Sequence, residues 1–109
     1  MATASIEVSG PNAERLAGEL QAALATAIQP GDSVSPVEVE RSAELVIAII
    51  GLVFSRVDTA RTIWGWWHDR RSEGVKVKIL LDDGTQVDLS GVDQKQLEIA
   101  LDGRTTPGH

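Results

Sequence analysis

Two places in this chain hold residues able to do acid–base or metal chemistry. His68 stands beside Asp69 in the run His68, Asp69, Arg70, Arg71, and Asp82, Asp83 and Asp88 crowd around Gly84. A histidine oriented by a neighbouring carboxylate is the minimum for a general base, and clustered carboxylates are the hard oxygen ligands that calcium or magnesium takes. Spacing argues against a site at either place. The other histidine, His109, is at the far end of the sequence, so no pair stands at metal-ligand spacing. Asp-Asp-Gly is ordinary turn chemistry. The basic run could meet a phosphate or a lipid headgroup, but a helix C-terminus favours the same charges through its dipole. Phosphate loops, dinucleotide fingerprints and G-x-S-x-G elbows are all missing. The expectation is a protein that is not an enzyme, with no catalytic, cofactor-binding or metal-ligating residues.

The stretch that must position His68 and the basic run extends from Ser42 to Gly74. Leu45, Ile49, Val53, Val57, Ala60, Trp64 and Trp67 recur every three or four residues, which predicts one long helix. Ser42 would cap it with Glu44 near the positive end of the dipole, and Gly74 would stop it. A buried strand over Leu45 to Ile50 competes, because four of those six residues are β-branched. In the helix, Trp64 and Trp67 fall on the core stripe, and Trp66 points elsewhere, packed or exposed. Val46, Ile50 and Phe54 form a second stripe with Ile47 beside it. A rod of about 45 Å exceeds the roughly 34 Å diameter of a compact chain this size, so the helix bends at Gly51 or Gly65 or projects toward a partner.

The remaining elements follow from alternation and punctuation. Ser5 to Ser9 reads as a strand with Ile6 and Val8 on one face and Glu7 on the other. A helix opens at Pro11 or Asn12 with Leu16, Leu20, Leu24 and Ile28 as its apolar face. Val34 to Glu40 alternates again with Val37 and Val39 inward, and Pro36 marks an edge strand or a late start. Val75 to Leu81 and Thr85 to Leu89 flank Asp82, Asp83 and Gly84 as a hairpin. A three-residue loop with Gly84 left-handed pairs Ile79 with Val87, Val77 with Leu89 and Lys78 with Asp88, leaving one face wholly apolar. Asp93 then caps a last helix packed through Leu97, Ala100 and Leu101 and stopped by Gly103. The predicted fold is α+β: a small mixed β-sheet in βαβαββα order, covered on one face by helices, with one long central helix. Residues 1–103 form a single domain and 104–109 a disordered tail.

Composition bounds the rest. The 109 residues carry a net charge of −6 and 42% hydrophobic residues, which suits one domain with a real core and disfavours a nucleic-acid partner. Without cysteine there is no disulfide framework and no thiolate zinc site. The start, MATASIEVSG, has neither the basic nor the apolar region of a signal peptide, so a cytoplasmic location is expected.

Taken together, the strand IEVSG, the alanine-rich helix, the run ELVIAIIGLVF continuing into ARTIWGWWHDRRSEG, the hairpin VKVKILLDDGTQVDLSG and the closing DQKQLEIAL resemble the effector-associated constant component family of bacterial conflict systems. The resemblance spans Ile6 to about Leu101 and is one of ordered pattern. Relatives often have a glycine-rich break after the apolar run and an alanine or leucine before the tryptophan, where this chain has FSRVD and IWGWW. The resemblance implies a small noncatalytic adaptor encoded beside effectors such as caspase-like or trypsin-like peptidases, and offers no catalytic residues.

The expected role is therefore self-association, giving a homo-oligomer, or docking of an effector. The expected interaction surface is Val46, Ile50, Phe54 and Trp66 on the free side of the long helix, with Ile49 on its buried side. The alternative is a membrane-peripheral protein that lays the apolar segment or the tryptophans on a bilayer. Arg56, Asp58 and Arg61, which follow the run at once, weigh against a span.

Overall fold

A computed structural model describes residues 2–27, 30–41, 46–54 and 58–105. In order these are strand β1 (Ala2–Ser9), helix α1 (Ala13–Ala27), strands β2 (Ser33–Val34), β3 (Glu38–Arg41) and β4 (Val46–Phe54), helix α2 (Asp58–Arg70), strands β5 (Lys76–Leu81) and β6 (Gln86–Asp88), and helix α3 (Gln94–Thr105). Ile28, Ser42, Glu44, Leu45 and Val57, each given a place in an expected helix, lie outside the described residues, as do 106–109.

The α+β class stands, but the long central helix does not. Val46 to Phe54 is a nine-residue strand, and α2 begins only at Asp58. Val46, Ile47, Ile49, Ile50 and Val53 are β-branched and pack well on a pleated surface. Burial alternates along β4: Ala48, Ile50, Leu52 and Phe54 are buried, and Ile47, Ile49, Gly51 and Val53 between them are half-buried. The sheet is likewise antiparallel throughout, not mixed, and six-stranded, ordered β2–β4–β1–β5–β6 with β3 also beside β4.

β4 and β1 form the centre, paired over eight positions from Ala2↔Phe54 to Ser9↔Ile47. β2 and β3 are two parts of one edge. Val34 pairs with Leu52 and Glu38 with Ile49, so the edge carries one residue more than β4 between those pairs, a bulge at Ser35, Pro36 and Val37. Pro36 is tolerated there because it owes the ladder no N–H.

The other edge is the expected hairpin. Ile79 pairs with Val87 and Lys78 with Asp88; Leu81 N donates to Thr85 O, Gly84 N donates to Leu81 O, and Gly84 takes φ +92°. Leu89 leaves the strand for a 3-10 turn, so the expected Val77–Leu89 pair does not form.

All three helices lie on one side of the sheet. α1 buries Ala13, Leu16, Ala17, Leu20 and Leu24, and α2 buries Ala60, Ile63, Trp66 and Trp67. α3 buries Leu97 and Leu101. These meet Ile6, Val8, Ile50, Phe54, Val77, Ile79 and Val87 of the sheet in one core. α2 passes into a 3-10 turn that ends at Gly74, φ +78°, the expected stop. Gly10, φ +135°, packs against that same turn: a Cβ there would sit 2.9 Å from Gly74 O, so the β1–α1 and α2–β5 corners meet only through glycine. α3 starts with a reciprocal cap, Gln96 N donating to Asp93 Oδ1 and Asp93 N to Gln96 Oε1, and continues past Gly103 to Thr105. The radius of gyration is 13.1 Å, the size of a compact chain of this length. No helix among the described residues is long and apolar enough to cross a membrane.

Candidate interaction surface

The four residues expected on a free helix face are not on one. Ile50 and Phe54 are 0% exposed on the helix-facing side of β4. Val46 is half-buried against the same core, and Trp66 is buried in α2 with Arg70 Cζ 5.3 Å from its ring centre. The cause is the change from helix to strand: Val46, Ile50 and Phe54 are separated by even numbers of residues, so on a strand they share one face, and here it is the covered one. Trp67 is also buried, and half-buried Trp64 lies 5.2 Å from it, ring centre to ring centre. The indole N–H groups of Trp66 and Trp67 are buried with no hydrogen-bond partner among the described residues. Of the residues the bilayer alternative drew on, Trp66 and Trp67 are buried and Trp64 is half-buried, while Ile47, Ile49 and Val53 point to the opposite face of the sheet.

The chemical candidates are also placed. His68 is exposed near Trp64, ring centres 6.4 Å apart. Asp83 Oδ1 accepts from Thr85 N, and Asp88 Oδ1 accepts from Ser90 Oγ at 2.7 Å and Ser90 N at 3.0 Å. Those bonds from Ser90, with Lys78 and Lys76 nearby, hold the Asp88 carboxyl below the usual aspartate value. Among the described residues, no cluster of three or more His, Asp or Glu side chains could hold a metal ion. A depression of about 440 Å³ opens at the start of α1 between Pro11, Glu14, Arg41 and Val46, and the Arg41–Glu14 ion pair joins two of the residues that line it.

What the sheet leaves open is its other face, on which none of the described helices packs. Cross-strand pairing arranges that face in rows. One row runs Glu38, Ile49, Glu7, Lys78, Asp88, and the next runs Glu40, Ile47, Ser9, Lys76. A third has Gly51, Ser5, Leu80 and Gln86, and Val53 with Thr3 follows. The columns therefore alternate in character: acidic on β3, apolar on β4, polar on β1 and basic on β5. A depression of about 200 Å³ lies between Glu7, Ser9, Ile47, Lys76 and Lys78.

Charge pairing separates the two sides of the molecule. On the helical side, Arg70 reaches Glu19 at 2.9 Å, Arg15 reaches Glu19 at 2.8 Å and Arg61 reaches Glu98 at 2.8 Å. On the open face Glu7, Glu38, Glu40, Lys76 and Lys78 form no salt bridge among the described residues. The hairpin sets Lys78 opposite Asp88, but the carboxylate turns to Ser90.

The β4 alternation that exposes this face is hidden in sequence because the outward residues Ile47, Ile49 and Val53 are themselves apolar. Gly51 was the available signal: glycine is poor in a helix interior and common where a strand meets a bulge. No protein-family model matches the chain, and comparison with curated proteins and with solved structures finds no match.

Proposed function

We propose that this chain is a noncatalytic interaction component of a bacterial conflict system, and that it works by self-association or docking through the open face of its sheet. The observation that supports this reading is the row Glu38, Ile49, Glu7, Lys78, in which a half-buried isoleucine sits among charges that have no salt-bridge partner among the described residues. Apolar residues on the uncovered face of a sheet lose nothing in a monomer if replaced by threonine or lysine, whereas in an interface they supply the desolvated centre. The resemblance supplies the setting, in which the component recruits an effector such as a caspase-like or trypsin-like peptidase. The chemistry then belongs to that effector.

The test is co-expression with the products of the adjacent genes, followed by size-exclusion chromatography of the parent and of Ile49→Asp. A complex that forms with the parent and is lost in a folded Ile49→Asp variant is the expected result. A complex indifferent to Ile49, or peptide or nucleotide turnover by the purified chain that disappears in His68→Ala, would overturn the proposal.

A further inference from the structure

We infer that the occupant of the open face is a second copy of this chain, packed sheet against sheet about a two-fold axis that runs along the strands between β4 and β1. The inference rests on the reading of that face as the association surface and adds the partner and its geometry.

Charge order selects the axis. A two-fold axis parallel to the strands reverses the order of columns but keeps each row at its own height. Centred between β4 and β1, it brings β3 over β5 of the second copy. Glu38 then faces Lys78 of the second copy and Glu40 faces its Lys76, twice over by symmetry, because Glu38 and Lys78 share one row and Glu40 and Lys76 the next. Other axes fail on the same rows. Centred on β4, the axis lays Glu38 over Glu7; centred on β1, it lays Glu38 over Asp88. An axis across the strands sets β3 on β3, acid on acid. Only the first arrangement sets both β3 glutamates over lysines; Glu7, next to Lys78 of its own copy, gains no lysine of its own.

Dimensions agree. Packed sheets stand about 10 Å apart, a gap that glutamate and lysine side chains span together. The usual crossing of about 30° displaces the outer columns by roughly 4 Å, within their reach. β1 has eight residues, so at ~3.4 Å each, and with four columns at ~4.8 Å, the footprint is about 500 Å² per copy. The two copies together bury about 1,000 Å², the lower size of a specific interface. In this register the apolar column of each copy meets β1 of the other, Ile47 over Ser9, Val53 over Thr3 and Ile49 over the aliphatic stem of Glu7, whose carboxylate reaches past it.

Charge reversal in combination tests this. The parent, Glu38→Lys/Glu40→Lys, Lys76→Glu/Lys78→Glu and the fourfold reversal are each measured by light scattering over a concentration series, with circular dichroism confirming the fold. The parent is expected to dimerise, and each double reversal to weaken self-association at least tenfold. An equimolar mixture of the two double reversals is expected to recover the dimer, as is the fourfold reversal alone. A parent that stays monomeric at its highest soluble concentration overturns the two-fold pairing; if an effector complex is still lost in Ile49→Asp, the reading of the face as an association surface survives that result. A mixture no tighter than its components also overturns the pairing. Ile99, 63% exposed on α3, marks the rival surface, and a parental dimer dispersed by Ile99→Ser would move the contact to the helices and overturn the sheet face.

Discussion

Ser35 and Gly51 exchange two hydrogen bonds across the edge of the sheet: Ser35 N donates to Gly51 O at 2.8 Å, and Gly51 N donates to Ser35 Oγ at 2.7 Å. The hydroxyl stands in for a backbone carbonyl at the bulge, where Pro36 interrupts the edge strand. Ser35→Ala leaves the Gly51 N–H without that acceptor and is expected to cost about 1–2 kcal/mol. Gly51→Ala places a Cβ 3.2 Å from Ser35 Oγ, so its cost should shrink when Ser35 is already alanine. Urea denaturation of the two single variants and the double variant measures this coupling. Strict additivity, or a Ser35→Ala variant as stable as the parent, would show that the bond does not hold the bulge.

Gly84 closes the β5–β6 loop at φ +92°. A β-branched residue is penalised there, and Gly84→Val is expected to destabilise the fold by more than about 1 kcal/mol. No heavy atom lies near a Cβ built at Gly84, so the effect is conformational and Gly84→Asn should recover much of it. An unchanged melting temperature in Gly84→Val would contradict the left-handed turn.

Asp88 titrates below the ordinary aspartate value of 3.8, because Ser90 donates to it from its hydroxyl and its backbone and because Lys78 and Lys76 are near. A carboxyl depressed on folding stabilises the native state above its unfolded pKa, and the contribution disappears as pH falls through the folded value. Ser90→Ala should therefore raise the Asp88 pKa, and its stability deficit should narrow in acid once Asp88 is protonated in both proteins. Carbon-13 detection of the carboxyl gives the midpoint directly. A parental midpoint at or above 3.8 would contradict the assignment.

Much of the fold was legible because single features decided it. The Asp-Asp-Gly turn determined the hairpin register, Asp93 with Leu97 and Leu101 marked α3, and Gly74 marked the end of the 3-10 turn that follows α2. β4 was not legible. In a run where nearly every residue is apolar, Ile49 and Val53 satisfy the helical period while Ala48, Ile50, Leu52 and Phe54 satisfy the strand period, and local pattern cannot choose between them. The neighbours of β4 choose. β1 pairs it over eight positions on one side and β2 and β3 pair it on the other, contacts between residues remote in sequence. The candidate surface inverted with that choice, since a step of one residue on a strand moves a side chain to the opposite face.

Ile49 and Ile50 therefore carry the central claim. Ile50 is 0% exposed beneath the helices, and Ile49 stands between Glu38 and Glu7 on the open face. A glutamate at position 50 buries an unpaired charge, costing several kcal/mol against a total stability of roughly 5–15 kcal/mol. One at position 49 meets solvent in the monomer. The decisive measurement is thermal unfolding and light scattering on Ile49→Glu and Ile50→Glu side by side. Ile50→Glu is expected to be unfolded, and Ile49→Glu to stay folded as a monomer while the parent associates, melting only somewhat lower because the new carboxylate stands between Glu38 and Glu7. A folded Ile50→Glu beside an unfolded Ile49→Glu would contradict the account and return the long helix in its place.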